Sequence, residues 1–241
     1  MNKMFQASTL NALMLGNYDS TISVSKMLEK GDTGIGTYEG LDGEAIFFNG
    51  KAYKGTALGN VVEMKNEDDV AFGNVTKFDE TVKTNIIVNI NFLSDFKNAL
   101  YPYIKHNLNQ FYVIKSEGVF KNMHVRACFK QETKPYKTLA EVASCQREFE
   151  YQNVSGYVIA IYCPNYVEGI NLPGWHFHFL SKDYSKGGHI LDLSSDEIFF
   201  KLNEQNNYEI ILPTNEEFTK LNLCEDLKAK TEAVEGASQK K

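Results

Sequence analysis

Cysteine is sparse in this chain, and no two cysteines lie close together. The 4 present are Cys128, Cys145, Cys163 and Cys224, so no Cys-x-x-Cys pair exists and ordinary reduced or buried thiols are expected. Basic runs are missing too. With 25 Lys and Arg against 31 Asp and Glu the formal net charge is -6, and binding to a phosphate backbone depends on clustered Lys and Arg; no nucleic-acid partner is expected. No apolar run approaches the roughly 20 residues that cross a bilayer, so no membrane partner is expected either. Residues 1–16 intersperse Asn, Gln, Ser and Thr among apolar side chains, unlike the continuous apolar stretch of a signal peptide, and the expected location is the cytoplasm. Internal repeats and low-complexity tracts are also absent.

What is present is an aromatic, strand-prone chain. Hydrophobic residues make up 43% and aromatics 12%, with 16 Phe and 13 Tyr, which suits a folded, β-rich globule. Its 241 residues allow one large unit or two modest ones. Ser8 is placed to cap a short helix carrying Leu10, Leu13 and Met14, stopped by Gly16. A second helix carries Val24, Met27 and Leu28, with Gly31 where a left-handed C-terminal residue is wanted. Residues 44–48 and 51–53 flank Asn49-Gly50, a strong hairpin signal, because this dipeptide readily takes the positive φ angles of a tight turn. Residues 86–92 predict a buried strand. Ser94 is placed to cap a helix carrying Phe96, Ala99 and Leu100, weakened by Pro102. Strands are expected at 111–115 and 118–130, the latter with Val119, Lys121, Met123, Val125 and Ala127 on one face and Arg126 on the other. A short helix or linker is expected over 131–152. Strands at 154–163, 175–181, 189–193 and 208–212 suggest a small antiparallel sheet or barrel, and the chain turns helical and polar after Pro213.

Histidine is scarce as well, yet three of the 5 fall between Gly174 and Gly187-Gly188-His189. His176 and His178, separated by one residue on a strand, point to the same side, while Phe177 and Phe179 face the opposite way into a core. Gly187 and Gly188 let the returning chain approach closely enough for His189 to complete the set. Three imidazoles with one open position form a catalytic zinc arrangement. His106 and His124 are isolated and are expected to be structural. A cupin-like metal-dependent oxygenase also starts from His-x-His, but it wants a Glu about four or five residues after the second His, where Asp183 stands, and a second motif that is missing. A non-enzymatic metal-binding β module is the other alternative. Glu44 shares a predicted strand face with Ile46 and Phe48, and a carboxylate on an apolar face is either at an edge or functional. Taken alone, Arg126 reads as a surface residue, Glu235 as part of a solvated polar tail and Thr37 as a strand entry.

Gly31-Asp32-Thr33-Gly34-Ile35-Gly36-Thr37-Tyr38, Leu41-Asp42-Gly43-Glu44, Gly174-Trp175-His176-Phe177-His178-Phe179, Gly187-Gly188-His189 and Glu235-Gly236, in this order, resemble the α-acetolactate decarboxylase family over nearly the whole chain. The resemblance implies a zinc-dependent carbon–carbon lyase that makes acetoin, and commonly a homodimer. It implies an α+β, β-rich fold: a mixed-sheet domain with short helices over residues 1–150, then a small β-barrel with a C-terminal tail over 151–241. By matching motifs, His176, His178 and His189 are the implied zinc ligands, and Glu44 and Arg126 the principal polar active-site groups. Glu235 is implied to come from a tail folded back over the metal, and Thr37 to lie near the substrate. The family usually reads Arg-Thr-Val-Pro where this chain reads Arg126-Ala127-Cys128-Phe129. The implied substrate is a 2-hydroxy-3-oxo acid, 2-hydroxy-2-methyl-3-oxobutanoate. Losing carbon dioxide leaves an electron pair that must flow into the neighbouring carbonyl, and zinc chelating the ketone and hydroxyl oxygens would stabilise the enediolate. Glu44 is the expected proton donor, with Glu235 second and Arg126 orienting the carboxylate.

Overall fold

The structure, a computed structural model, describes residues 3–235. Its first part runs through β1 (Lys3–Ala7), α1 (Leu10–Met14), β2 (Ile22–Ser23), α2 (Val24–Lys30), β3 (Thr33–Tyr38), β4 (Glu44–Phe48), β5 (Lys51–Gly55), β6 (Val61–Glu63) and β7 (Asp69–Thr76). The remainder runs through β8 (Asn85–Ile90), α3 (Leu93–Ile104), β9 (Phe111–Ala127), α4 (Leu139–Ala143), β10 (Arg147–Cys163), β11 (Gly174–Ser181), β12 (Gly187–Gln205), β13 (Asn207–Ile211), α5 (Glu216–Lys220) and α6 (Lys228–Glu235). Among the described residues, no helix is long and apolar enough to cross a membrane.

Two sheets result. The eight-stranded sheet has the order β13-β1-β7-β3-β4-β5-β6, with β2 attached to β7. It is mixed, because β13 runs parallel to β1 while the β1–β7 and β3–β4 pairs are antiparallel. The five-stranded sheet has the order β11-β10-β9-β12-β8, and β11 also pairs with β12. The β-rich class and the mixed first sheet agree with expectation. Residue 150 falls inside β10, and the second sheet draws β8 and β9 from before that point. The strand expected at 208–212 leaves the second sheet altogether: β13 lies beside β1, with Tyr208 stacked on Phe111 at 4.6 Å and Glu209 paired to Lys30 at 2.8 Å. A core of Ile35, Ile46 and Phe48 from one sheet against Val113, Ile159 and Leu180 from the other holds the two together.

Local chemistry explains where the elements fall. The α1 cap is Thr9, whose hydroxyl accepts from the Ala12 amide at 3.2 Å; Ser8, expected in that role, sits at φ 65° instead of the extended conformation a cap needs. Gly31 ends α2 in extended backbone, not left-handed as expected, and glycine is required there because a Cβ would stand 2.5 Å from the Thr76 amide nitrogen. The Asn49-Gly50 turn has positive φ at both residues, 52° and 76°. β8 is half-exposed, not buried: as the edge of its sheet it buries Ile87 and Ile90 and leaves Ile86 and Val88 in solvent. Helix α3 starts at Leu93 and continues through Pro102 to Ile104; the carboxylates of Asp95 and Asp192, not Ser94, take its first amides. The two strands expected over 111–130 are one, β9. Its alternation slips, so that Val119 and Lys121 are exposed while Phe120, Met123, Val125 and Ala127 are buried, and the facing β12 carries register irregularities there. Arg126 is 5% exposed, so its bland reading as a surface residue fails. None of the four cysteines forms a disulfide; Cys128 and Cys163 are buried, Cys145 and Cys224 exposed.

Candidate active site

Strand alternation puts His176 and His178 on one face of β11, opposite Ile161 and Ile159 of β10, while Phe177 and Phe179 turn into the core beside Phe96 and Phe120. β12 returns along β11 with His189 directly across from His178, and on its other side His189 pairs with Arg126 of β9. The two glycines before His189 make this possible. A Cβ on Gly187 would lie 2.9 Å from the Phe179 carbonyl oxygen, and one on Gly188 would lie 2.7 Å from that of Arg126. Larger residues would push β12 away from β11 and β9.

The three histidine ligand atoms lie within 4.8 Å of one another. His176 Nε2 is 2.8 Å from His189 Nδ1 and 3.2 Å from His178 Nε2. A tetrahedral zinc with bonds of ~2.0–2.1 Å spaces its nitrogens by about 3.3 Å, so the closest pair opens by about half an ångström and the widest pair closes to accommodate it. His178 Nδ1–H donates to the Ala45 carbonyl oxygen at 2.9 Å, which leaves the lone pair on Nε2, the atom facing the other two rings. Burial, and then the nearby Arg126 and Lys97, push His176 down to about 3. Burial and Arg126 likewise hold His189 well below its ordinary value. Neutral imidazole is the form that binds a metal. The donor set therefore fits zinc.

Around this floor stand the other expected groups. Glu44 opens β4, and its Oε2 is 3.4 Å from His178 Nε2. Thr37 pairs with Glu44 across the β3–β4 ladder, and its hydroxyl donates to the Gly43 carbonyl oxygen at 2.8 Å, fixing the turn that delivers Glu44. Arg126 Nη1 donates to Gln146 Oε1 at 3.0 Å and to the Val234 carbonyl oxygen at 2.7 Å. Thr37, Glu44, Arg126, His176 and His189 share a cavity of about 40 Å³, which by the ~10–15 Å³ each water needs holds about three waters. Its opposite wall is apolar, with Leu10, Leu13 and Phe72 joined by Leu139 of α4 and Val234 of α6. Glu235 ends α6, directly after the Val234 carbonyl that Arg126 holds, but its side chain lies outside the described residues. A larger cavity of about 420 Å³ adjoins this one and shares Leu10 and Leu172 with it. Its charged lining is acidic except for Lys228, which does not suit an anionic substrate.

The remaining expectations divide clearly. His124 pairs with Glu148 at 2.9 Å and His106 approaches Glu204 at 3.5 Å; neither joins the cluster. Asp183, the residue a cupin would use, instead accepts from the Ser181 and Ser185 hydroxyls at 2.6 and 2.7 Å within the turn between β11 and β12. Sequence reasoning missed the Ala45 carbonyl, Gln146 and the thiol of Cys128, which lines the cavity. Only register reveals the first two. The third follows from the altered residues after Arg126, since strand alternation returns Cys128 to the face of Arg126.

A family model described as alpha-acetolactate decarboxylase matches residues 4–225. An alpha-acetolactate decarboxylase of Methanosarcina mazei is 36% identical over 234 residues, covering 96% of this chain and 80% of the relative. One of Brevibacillus brevis is 35% identical over 224 residues, covering 93% and 78%. The crystal structure of alpha-acetolactate decarboxylase from Bacillus subtilis strain 168 superimposes with a TM-score of 0.91 at 31% identity, covering 97% of this chain and 99% of that one.

Proposed function

The chain belongs to the alpha-acetolactate decarboxylase family and is a carboxy-lyase of that kind, and we propose that it releases carbon dioxide from 2-hydroxy-2-methyl-3-oxobutanoate in a zinc-dependent reaction that leaves acetoin. The observation that carries the zinc reading is the convergence of His176, His178 and His189, with the Ala45 carbonyl selecting the tautomer of His178. Zinc held by His176, His178 and His189 would supply Lewis acidity for the carbonyl that receives the electron pair set free with carbon dioxide.

The chain's own residues do the rest. Arg126, fixed by Gln146 and the Val234 carbonyl, orients the substrate carboxylate. A grip that was tightest on the ground-state carboxylate would resist its departure as a neutral gas, so the contribution of Arg126 is orientation and charge balance, not maximal affinity. Glu44, 3.4 Å from His178, delivers the proton to one face of the enediolate once carbon dioxide has left, and Glu235 is the second carboxylate available to share proton transfer. Thr37 holds the Gly43 turn and contributes to the substrate wall. α6 and α4 close the apolar side and exclude water, which strengthens each charge interaction inside. The protein acts as a cytoplasmic homodimer with neither nucleic-acid nor membrane partner, a reading supported by the composition and the family.

Two observations disfavour the alternatives. The engagement of Asp183 in its own turn removes the carboxylate a cupin-like oxygenase would recruit. A purely structural metal module has no use for a buried arginine and a glutamate facing the same cavity as the histidines. The test is incubation with racemic 2-acetolactate, measuring acetoin and carbon dioxide with and without a strong chelator. Equimolar products that vanish with the chelator support the proposal; an unchanged rate overturns the zinc role, and absence of product overturns the substrate assignment.

A further inference from the structure

Gln146 lies between α4 and β10, held by its amide donating to the Ala143 carbonyl oxygen at 3.2 Å, and it reaches the buried guanidinium from the side of the rigid sheet. Its Oε1 accepts from Arg126 Nη1 at 3.0 Å, and its Nε2 donates to Glu148 Oε1 at 2.9 Å. Glu148 is the direct cross-strand partner of Arg126, and its other oxygen meets His124 Nε2 at 2.9 Å. A neutral amide therefore stands between a guanidinium, which only donates, and a carboxylate, which only accepts, and one amide orientation alone satisfies both.

We propose that Gln146 is a positioning residue that orients Arg126 for the substrate carboxylate without cancelling its charge; the proposal rests on the reading of Arg126 as that anchor. A carboxylate in the same place would neutralise the guanidinium, repel Glu148 and repel the incoming anion. A truncated side chain would take from Nη1 the acceptor that Gln146 supplies, whereas the Val234 carbonyl belongs to a short terminal helix. The amide supplies aim and, being neutral, adds no counter-charge at the guanidinium.

The experiment compares Gln146→Glu, Gln146→Ala and Arg126→Ala with the wild-type holoenzyme, measuring KM and kcat for 2-acetolactate, the inhibition constant of the neutral product acetoin, zinc content and the thermal midpoint. Gln146→Glu raises KM about tenfold or more, because its carboxylate opposes the incoming anion, and Gln146→Ala, which loses only the hydrogen bond, raises it a few-fold. The acetoin constant, zinc content and thermal midpoint stay near wild type, because a neutral ligand is indifferent to the charge of Arg126, whereas a merely structural role would move both constants. An unchanged KM in Gln146→Glu, or an equal rise in both constants, overturns the positioning role while Arg126→Ala still raises KM. An unchanged KM in Arg126→Ala overturns the anchor reading itself, and the proposal with it.

Discussion

His176, His178 and His189 stand on strands of 8 and 19 residues that are laddered to each other and to their neighbours, whereas the roof of the same cavity, α6, is an eight-residue helix. The roof is attached through the buried Leu227 and Val234 and the hydrogen bond from Arg126 to the Val234 carbonyl. Isolated helices of this length do not persist in water, so α6 depends on those few contacts, and the floor depends on a whole sheet. The comparison separates two tasks. The side chains that converge are on strands laddered to their neighbours, and the wall opposite them includes a short helix. With room for about three waters, the cavity beneath it is smaller than the substrate.

The largest effects should come from the floor, and they should split by face. His176→Ala removes a ligand and is expected to lower turnover by roughly three powers of ten or more, with bound zinc lost and the fold retained. Phe177→Ala, on the other face of the same strand, is expected to lose ~3–5 kcal/mol of stability by denaturant titration, because its ring packs against Phe96 in the core. If the two variants gave the same profile, the strand would not divide chemistry from packing. Glu44→Gln comes next, with an expected loss of roughly a hundredfold in kcat and zinc content unchanged, as general acid contributions run ~10²–10⁴; single-handed acetoin at the normal rate would remove it as the donor.

Removing the roof should cost less. Ending the chain after Lys230 is expected to lower activity about tenfold while shifting the thermal midpoint by only a few degrees, since among the described residues removed Thr231 and Val234 are the buried ones. Unchanged turnover would mean that neither the roof nor Glu235 contributes. In hydrogen exchange, α6 amides should exchange well before those of β11 and β12. The smallest effect is at the turn joining the two histidine strands. Hydrogen bonds from Ser181 and Ser185 hold the Asp183 carboxyl down to about 2. A depressed value in the folded state gives a contribution that is complete above the ordinary carboxylate range and is lost as pH falls toward 2. Asp183→Asn should therefore narrow the stability difference between neutral and acid pH slightly, and an unchanged acid limb would remove that linkage.

The histidine floor was legible because its logic is local: a period of two on one strand, then paired glycines before the third ligand. The Asn49-Gly50 hairpin was legible for the same reason. Arg126 and Glu44 needed the family resemblance, because what makes them site residues is register. Arg126 is buried only because β9 lies between β10 and β12, and no spacing within 118–130 encodes that. β13 beside β1 is a parallel pairing between the two ends of the described chain, which leaves no turn signature. Gly31 was assigned to the right residue type for the wrong reason: the sequence shows that a side chain is absent, not that Thr76 occupies its space. The exposure of Ile86 and Val88 follows from an edge position that composition cannot reveal.

The central claim is that three histidines on rigid strands hold the ion on which decarboxylation depends. It is tested most directly by stripping the protein of metal and titrating zinc back while following acetoin formation from 2-acetolactate. Activity should be lost on stripping and should rise in proportion to added zinc until it saturates near one ion per chain. His176→Ala should show no such rise. Full turnover in the stripped protein, or an equal recovery in His176→Ala, would contradict it.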